Sequence, residues 1–423
     1  MKKLMTVVGL AVLAGVGYSA EVRDVTVSAD AKTHLVTIGY TLSDGPAIVT
    51  FDVTANGAPV AAGNLRATSG AINRKLAGGT YSFVWRPGEA WALVQDRSSL
   101  KVQVKAWALD NPPPYMTIEY FGNKAVKFYA SAELLPYPVT DPVYKTGTFL
   151  FRKIPAAGIP WTMGADGGTG NQTPHTVTFT KDYYIGVYPV TLAQYVQVKN
   201  LGRNDVIAAM GQTDLARSYG YATDSYGMMR PAVGLSYTWY LRGTQRDDSA
   251  YNWPNHRDVL ATGIFGLMRS ALPGFVFDLP TNAQWEYACR AGVGTKFGNG
   301  SDTDCSDVAW YAGNNEEDPD WVAGMPHAVG LKKPNNFGLY DMHGNVDEWV
   351  LDYHSSTALA DETDPEGPIV IAASGAHRVI RGGNFTSTDL ADLTSAVQKP
   401  DGNSGGQQSM NIGFRICCPA VVQ

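Results

Sequence analysis

The chain has 423 residues, enough for two or three domains and a substantial core. Only 17% of residues are charged and the formal net charge is −6, which excludes a general nucleic-acid footprint. Ten Trp, 22 Tyr and 45 Gly suit a loop-rich globular protein better than a helical bundle.

Met1-Lys2-Lys3 followed by an apolar run over residues 4–16 predicts a secretory signal peptide over 1–20, cut close to Ser19 or Ala20. The run is shorter than the ~20 residues that span a bilayer, and no later stretch is long and apolar enough. The expected mature protein is therefore secreted or periplasmic, with no membrane span. Its four cysteines, Cys289, Cys305, Cys417 and Cys418, leave three disulfide connectivities open in an oxidising compartment.

Residues 21–110 alternate with the two-residue period of half-buried strands. Val36, Ile38, Tyr40 and Leu42 share one face. Val49, Phe51 and Val53, then Tyr81, Phe83 and Trp85, then Val102 and Val104 repeat the pattern. Asn56-Gly57 and Gly78-Gly79 mark turns between them. About seven short strands predict an all-β sandwich of immunoglobulin or fibronectin type, without a chemistry-bearing cluster. Asn111-Pro112-Pro113-Pro114 then opens a connecting arm over 111–145, expected to dock on the second domain.

A second domain follows over 146–420. Thr191 with Gln194, and Thr281 with Gln284, stand in the capping-box relation and predict two helix starts. The second helix should end at Gly292, and its Glu286 reads as a structural acceptor for buried loop amides. The acidic stretch after Ser301 reads as a solvated loop.

Residues 334–349, PNNFGLYDMHGNVDEW, organise this domain. Pro, Asn and Gly favour consecutive turns over a long helix, yet Phe337, Leu339, Tyr340, Met342, Val346 and Trp349 are too apolar for an exposed loop. A buried irregular hub follows, whose backbone groups need partners. A hard cation would serve, with carboxylate oxygens of Asp341 and Glu348 and carbonyls of Gly344 and Val346, since calcium collects about 6–8 oxygens. A hydrogen-bonded turn without metal would serve as well.

The same stretch resembles the core motif of the formylglycine-generating enzyme family, the sulfatase-modifying factors. Further blocks agree in order: Met163-Gly164, residues 184–191 (YIGVYPVT), Arg230-Pro231-Ala232-Val233, residues 277–288 (FDLPTNAQWEYA), Arg381-Gly382-Gly383-Asn384-Phe385 and Gly413-Phe414-Arg415. The resemblance implies an α+β, C-type-lectin-like fold of low regular secondary structure. It implies structural calcium on Asp341, Gly344, Val346 and Glu348, with Asp347 standing where the family has Trp, either adding a ligand or lying outward. It also implies a disulfide from Cys289 to the segment after Gly-Phe-Arg, with Cys418 favoured over Cys417.

One departure matters most. Family enzymes oxidise a sulfatase cysteine with two copper-binding cysteines, and thiolate is the soft ligand Cu(I) selects. The corresponding positions here are Ser387 and Asp392, no Cys lies between 306 and 416, and no Arg or Lys lies between Thr386 and Val397. Copper and formylglycine formation of that type are thus not expected, and no catalytic residue is assigned. Some relatives are non-haem iron enzymes, but the seven His show no spaced helical pair; His343 and His354 could meet beside the hub. The sequence favours a binding module for an unidentified ligand or exported protein, through the surface over 384–411. An active oxidoreductase modifying exported sulfatases is the alternative.

Overall fold

The structure is a computed structural model of the chain. It describes residues 5–6, 20–30, 32–88, 99–201, 225–243, 259–367, 377–402, 406 and 409–423. The expected signal peptide lies almost wholly outside the described residues. No helix among them is long and apolar enough to cross a membrane.

The chain forms two compact units: residues 1–118, 125–141 and 420–423 in the first, and 119–124 with 142–419 in the second. The first unit is the expected sandwich. Glu21–Ala29, Val36–Ser43, Gly79–Trp85 and Thr68–Gly70 make one antiparallel sheet; Ala58–Pro59, Ala47–Ala55, Arg74–Leu76 and Lys101–Trp107 make the other. The period-two faces turn inward. Val36, Ile38, Tyr40, Leu42, Val49, Phe51, Val53, Phe83, Trp85, Val102 and Val104 are all buried in one apolar cluster. Most of the arm belongs to this unit, not to the second as expected. The Phe128 N–H bonds the Asn73 carbonyl, and Arg66 Nε donates to the Glu133 carbonyl.

The second unit is α+β with short elements. Thr148–Ile154 pairs antiparallel with Tyr183–Gly186, which pairs in turn with Cys417–Pro419. A second sheet carries the hub: Asp347–Tyr353 lies between Arg378–Arg381, antiparallel, and Ile412–Phe414, parallel. Both predicted helix starts are real. Leu192–Val198 follows Thr191 and Asn282–Arg290 follows Thr281, each with a complete capping box. The second helix stops at Ala291 and Gly292, both at positive φ. The hub is buried as expected from Leu339 to Trp349. Its turns reach only to Val346, however; from Asp347 the chain is a seven-residue strand, whose pairing with Arg378–Arg381 shifts register between Trp349 and Tyr353.

Candidate functional site

The hub's irregular backbone needs partners, and charged side chains supply most of them. Glu348 receives Arg415 Nε and Nη2 at 2.7 Å each and Trp285 Nε1 at 2.7 Å. The same Arg415 donates to the carbonyls of Gly186 and Tyr340. Glu286 acts as expected: it accepts the Gly164 N–H at 2.9 Å, and it also pairs with Arg290 and with Arg381 at 2.5 Å. Gly344 is obligatory at its turn. Its φ is 68°, and a Cβ would sit 2.1 Å from the Trp310 carbonyl oxygen.

Asp341 is buried at φ 55°, with Oδ2 accepting the Gly330 N–H at 2.7 Å. Burial pushes its carboxyl up to about 6. As a calcium site the donor set has an open position, because Asp341 Oδ1 receives no hydrogen bond among the described residues. Glu348 is less open, since three donors already occupy its roughly four lone-pair sites. A cation here would draw on Asp341 and the loop carbonyls of Gly344 and Val346, because Glu348 is already engaged by Arg415 and Trp285.

Asp347 does not lie outward. It is buried, pairs with Lys399 at 2.6 Å, and accepts the Asn384 side-chain amide at 2.6 Å and the Gly383 N–H at 3.1 Å. The position where the family has Trp thus clamps the Gly382-Gly383-Asn384 turn. Gly383, at φ 72°, passes so close to Leu393 that a Cβ would lie 2.4 Å from its Cδ2. That contact brings residues 390–393 beside the turn.

Ser387 is buried, and its hydroxyl accepts the Asn384 N–H at 3.2 Å. Asp392 is half-buried on the short turn Leu390–Leu393, and no hydrogen bond joins it to Ser387. The four cysteines are all free thiols, which overturns the expected disulfide. Cys418 sits opposite Tyr184 on the strand edge, and Cys417 Sγ approaches Gln284 Oε1. Cys289 packs instead against His343 Nε2 at 3.4 Å and Ser395 Oγ at 3.5 Å. Burial pushes Cys289 up to about 12 and Cys305 up to about 11, so neither is a thiolate near neutral pH.

The histidines go to separate partners. His343 Nδ1 bonds the Leu393 carbonyl at 2.7 Å, and its Nε2 accepts the Gly298 N–H at 2.9 Å. Burial lowers it to about 4. His354 faces Asn171 at 3.2 Å. Among the described residues no three His, Cys, Asp or Glu converge as a metal-binding group. The acidic loop after Ser301 is tied by its own turns, Asp302 to the Lys296 N–H and Asp304 to the Ser306 N–H.

Beside residues 389–397 lies an open cleft of about 1250 Å³ that the sequence did not reveal. Trp161 and Tyr287, 5.2 Å apart edge to face, line it with Asp166, Asp302, Asp389 and Lys296. Only the aromatic Trp161 before Met163-Gly164 and Tyr287 inside the Trp-Glu-Tyr-Ala block hinted at it.

Residues 146–419 match the Sulfatase-modifying factor enzyme 1-like domain. The formylglycine-generating enzyme of Streptomyces coelicolor is 32% identical over 158 residues, 32% of this chain and 45% of that protein. The chaperone protein LppX of Paenibacillus barcinonensis is 28% identical over 246 residues, 56% of this chain and 79% of that protein. Among solved structures, PvdO from Pseudomonas aeruginosa has TM-score 0.45 at 21% identity, covering 64% of this chain and 94% of that one. Treponema denticola variable protein 1 has TM-score 0.44 at 24% identity, covering 67% and 97%. The chain spans about half the length of the formylglycine-generating enzyme it matches. With its ordered blocks gathered around one buried hub and the domain matched over 146–419, the chain belongs to the sulfatase-modifying factor family.

Proposed function

We propose that residues 146–419 serve as an exported binding module and do not oxidise cysteine. The observation carrying this reading is the pair Ser387 and Asp392 at the positions of the family's thiols, with the Ser387 hydroxyl spent on a backbone amide. A hydroxyl and a carboxylate cannot replace a bis-thiolate copper site. The open cleft offers aromatic faces, carboxylates and a lysine to a ligand, in the mixed apolar and polar pattern of binding pockets. A relative named as a chaperone, aligned over 79% of its length, supports a protein partner. Calcium held by Asp341, Gly344, Val346 and Glu348 would be structural, tying the turns of the hub to the strand that follows them.

The test incubates the pure protein with a cysteine-bearing sulfatase peptide, oxygen and copper. No aldehyde is expected; aldehyde formation would establish the oxidoreductase reading instead. Elemental analysis of the same sample should find calcium without copper or iron.

A further inference from the structure

Behind the Phe385–Ser387 turn, of which only Thr386 is exposed, runs a buried chain of hydrogen bonds that the binding reading does not use. Tyr226 bonds Asp318 Oδ2, and the same oxygen meets His327 Nδ1 at 2.8 Å. His327 Nε2 meets Asn315 Oδ1 at 2.9 Å, and Asn315 Nδ2 donates to the Phe385 carbonyl at 2.8 Å. His327 is fully buried, stacked on Trp310 at 4.0 Å and on Trp321 at 5.7 Å. Asn345 grips its backbone from both sides and accepts the Phe385 N–H on its own carbonyl.

The number of protons in this chain is constrained. Both ends, the Asp318 carboxylate and the Phe385 carbonyl, are acceptors. Three contacts lie between them: Asp318 to His327, His327 to Asn315, and Asn315 to Phe385. A neutral imidazole supplies one donor, and the Asn315 amide supplies one, whichever way it is turned. One contact would then press two lone pairs together, a buried unsatisfied arrangement that is costly. Turning the amide only moves the conflict from Nε2 to the Phe385 carbonyl.

We propose that the Asp318–His327 pair keeps one additional proton in the folded protein, so that His327 Nε2 bears hydrogen and donates to Asn315, and that this proton locks Phe385–Ser387 in place. The proton rests on either partner: as imidazolium facing carboxylate, or as neutral imidazole facing carboxylic acid. Both forms put hydrogen on Nε2 and leave the buried pair without net charge. Burial, joined by Lys332 and Arg230, drives the imidazole below the ordinary histidine value although Asp318 opposes it. Against its own burial, Asp318 is held below the ordinary carboxylate value by hydrogen bonds from Tyr226 and His327. The hydrogen-bond count alone calls for the extra proton. The other charges nearby are Lys332, whose ammonium lies 3.9 Å over the Trp310 ring and pairs with Glu317, and Arg230, over the Tyr226 ring. Both cations favour loss of the proton, and Asp318 retains it. On the donor count, and against the net direction set by burial and the two cations, the folded state holds a proton more tightly than an unfolded histidine of pKa about 6.5, so the lock is complete below that value and lost as pH rises through the pair's own titration. On the reading that the surface over 384–411 binds a ligand, rising pH frees its Phe385–Ser387 turn.

The experiment uses the full chain labelled with ¹⁵N-histidine, the His327 signals being assigned by comparison with His327→Gln. Between about pH 6 and 7, Nε2 is expected to be protonated, and as pH is raised its loss should accompany roughly tenfold faster amide exchange at Phe385 and Thr386 after correction for intrinsic rates. A bare Nε2 with hydrogen only on Nδ1 at about pH 6 would overturn the proposal. Asp318→Asn provides the second arm: an amide donor to Nδ1 leaves Nε2 protonated without any extra proton, so the pH dependence of exchange at Phe385 should vanish. An unchanged pH profile in that variant would also overturn it. Neither readout needs a ligand, so failure of the binding reading would be seen separately, as absence of a partner with the proton in place.

Discussion

In the first unit the buried polar groups among the described residues are Thr50 and Thr117, and no charged side chain is buried. In the second, Arg242, Arg378, Arg381 and Arg415 are buried together with Asp278, Glu286, Asp347 and Glu348. Sheets satisfy their own amides and carbonyls, so the sandwich needs only apolar filling. Loops cannot, and the second unit satisfies them with side chains of fixed charge. Such a core tolerates loss of a methyl better than loss of one partner of an ion pair, because the remaining charge stays buried and uncompensated.

Four measurements would break or sharpen this contrast. Removing one member of the hub pair, as in Glu348→Gln or Arg415→Met, should destabilise the second unit by about 3–5 kcal/mol in denaturant unfolding, and the double variant should recover part of that loss. Equal and additive costs would mean that the pair is not coupled. Acid should also act on the second unit first. His343 is lowered from 6.5 to about 4, so its contribution is present above pH 6.5 and lost as pH falls toward 4. That amounts to on the order of 3 kcal/mol, readable as earlier acid unfolding of the hub amides than of the sandwich amides in hydrogen exchange. Calcium at about a hundredfold above its Kd should stabilise the second unit by about 2.7 kcal/mol and leave the sandwich unchanged, and Asp341→Asn should abolish the effect. The smallest expected change is Thr281→Ala, about 1 kcal/mol, from loss of one capping box.

Periodicity made the sandwich legible, because alternation of apolar residues maps directly onto a two-faced strand: Val36, Ile38, Tyr40 and Leu42 all point inward. Cap chemistry made the helices at Leu192 and Asn282 legible for the same local reason. The hub's burial could be read from its apolar content, but its partners could not. Nothing local says that Arg415 crosses to Glu348, or that Asp347, in a Trp position, turns inward to Lys399. The expected disulfide failed on geometry: Cys289 lies against His343 and Ser395, while Cys417 and Cys418 end on the strand beside Tyr184. The cleft stayed hidden because its walls come from three segments far apart in the chain, around Trp161, Tyr287 and Asp389.

Glu286 gathers Gly164, Arg290 and Arg381 onto one carboxylate. The second unit is therefore indivisible along its sequence. A polypeptide stopped anywhere between Arg290 and Arg381 would enclose a charge whose distal partner had not been made, so a truncated or half-synthesised version should stay open to proteases until the segment carrying Arg381 arrives.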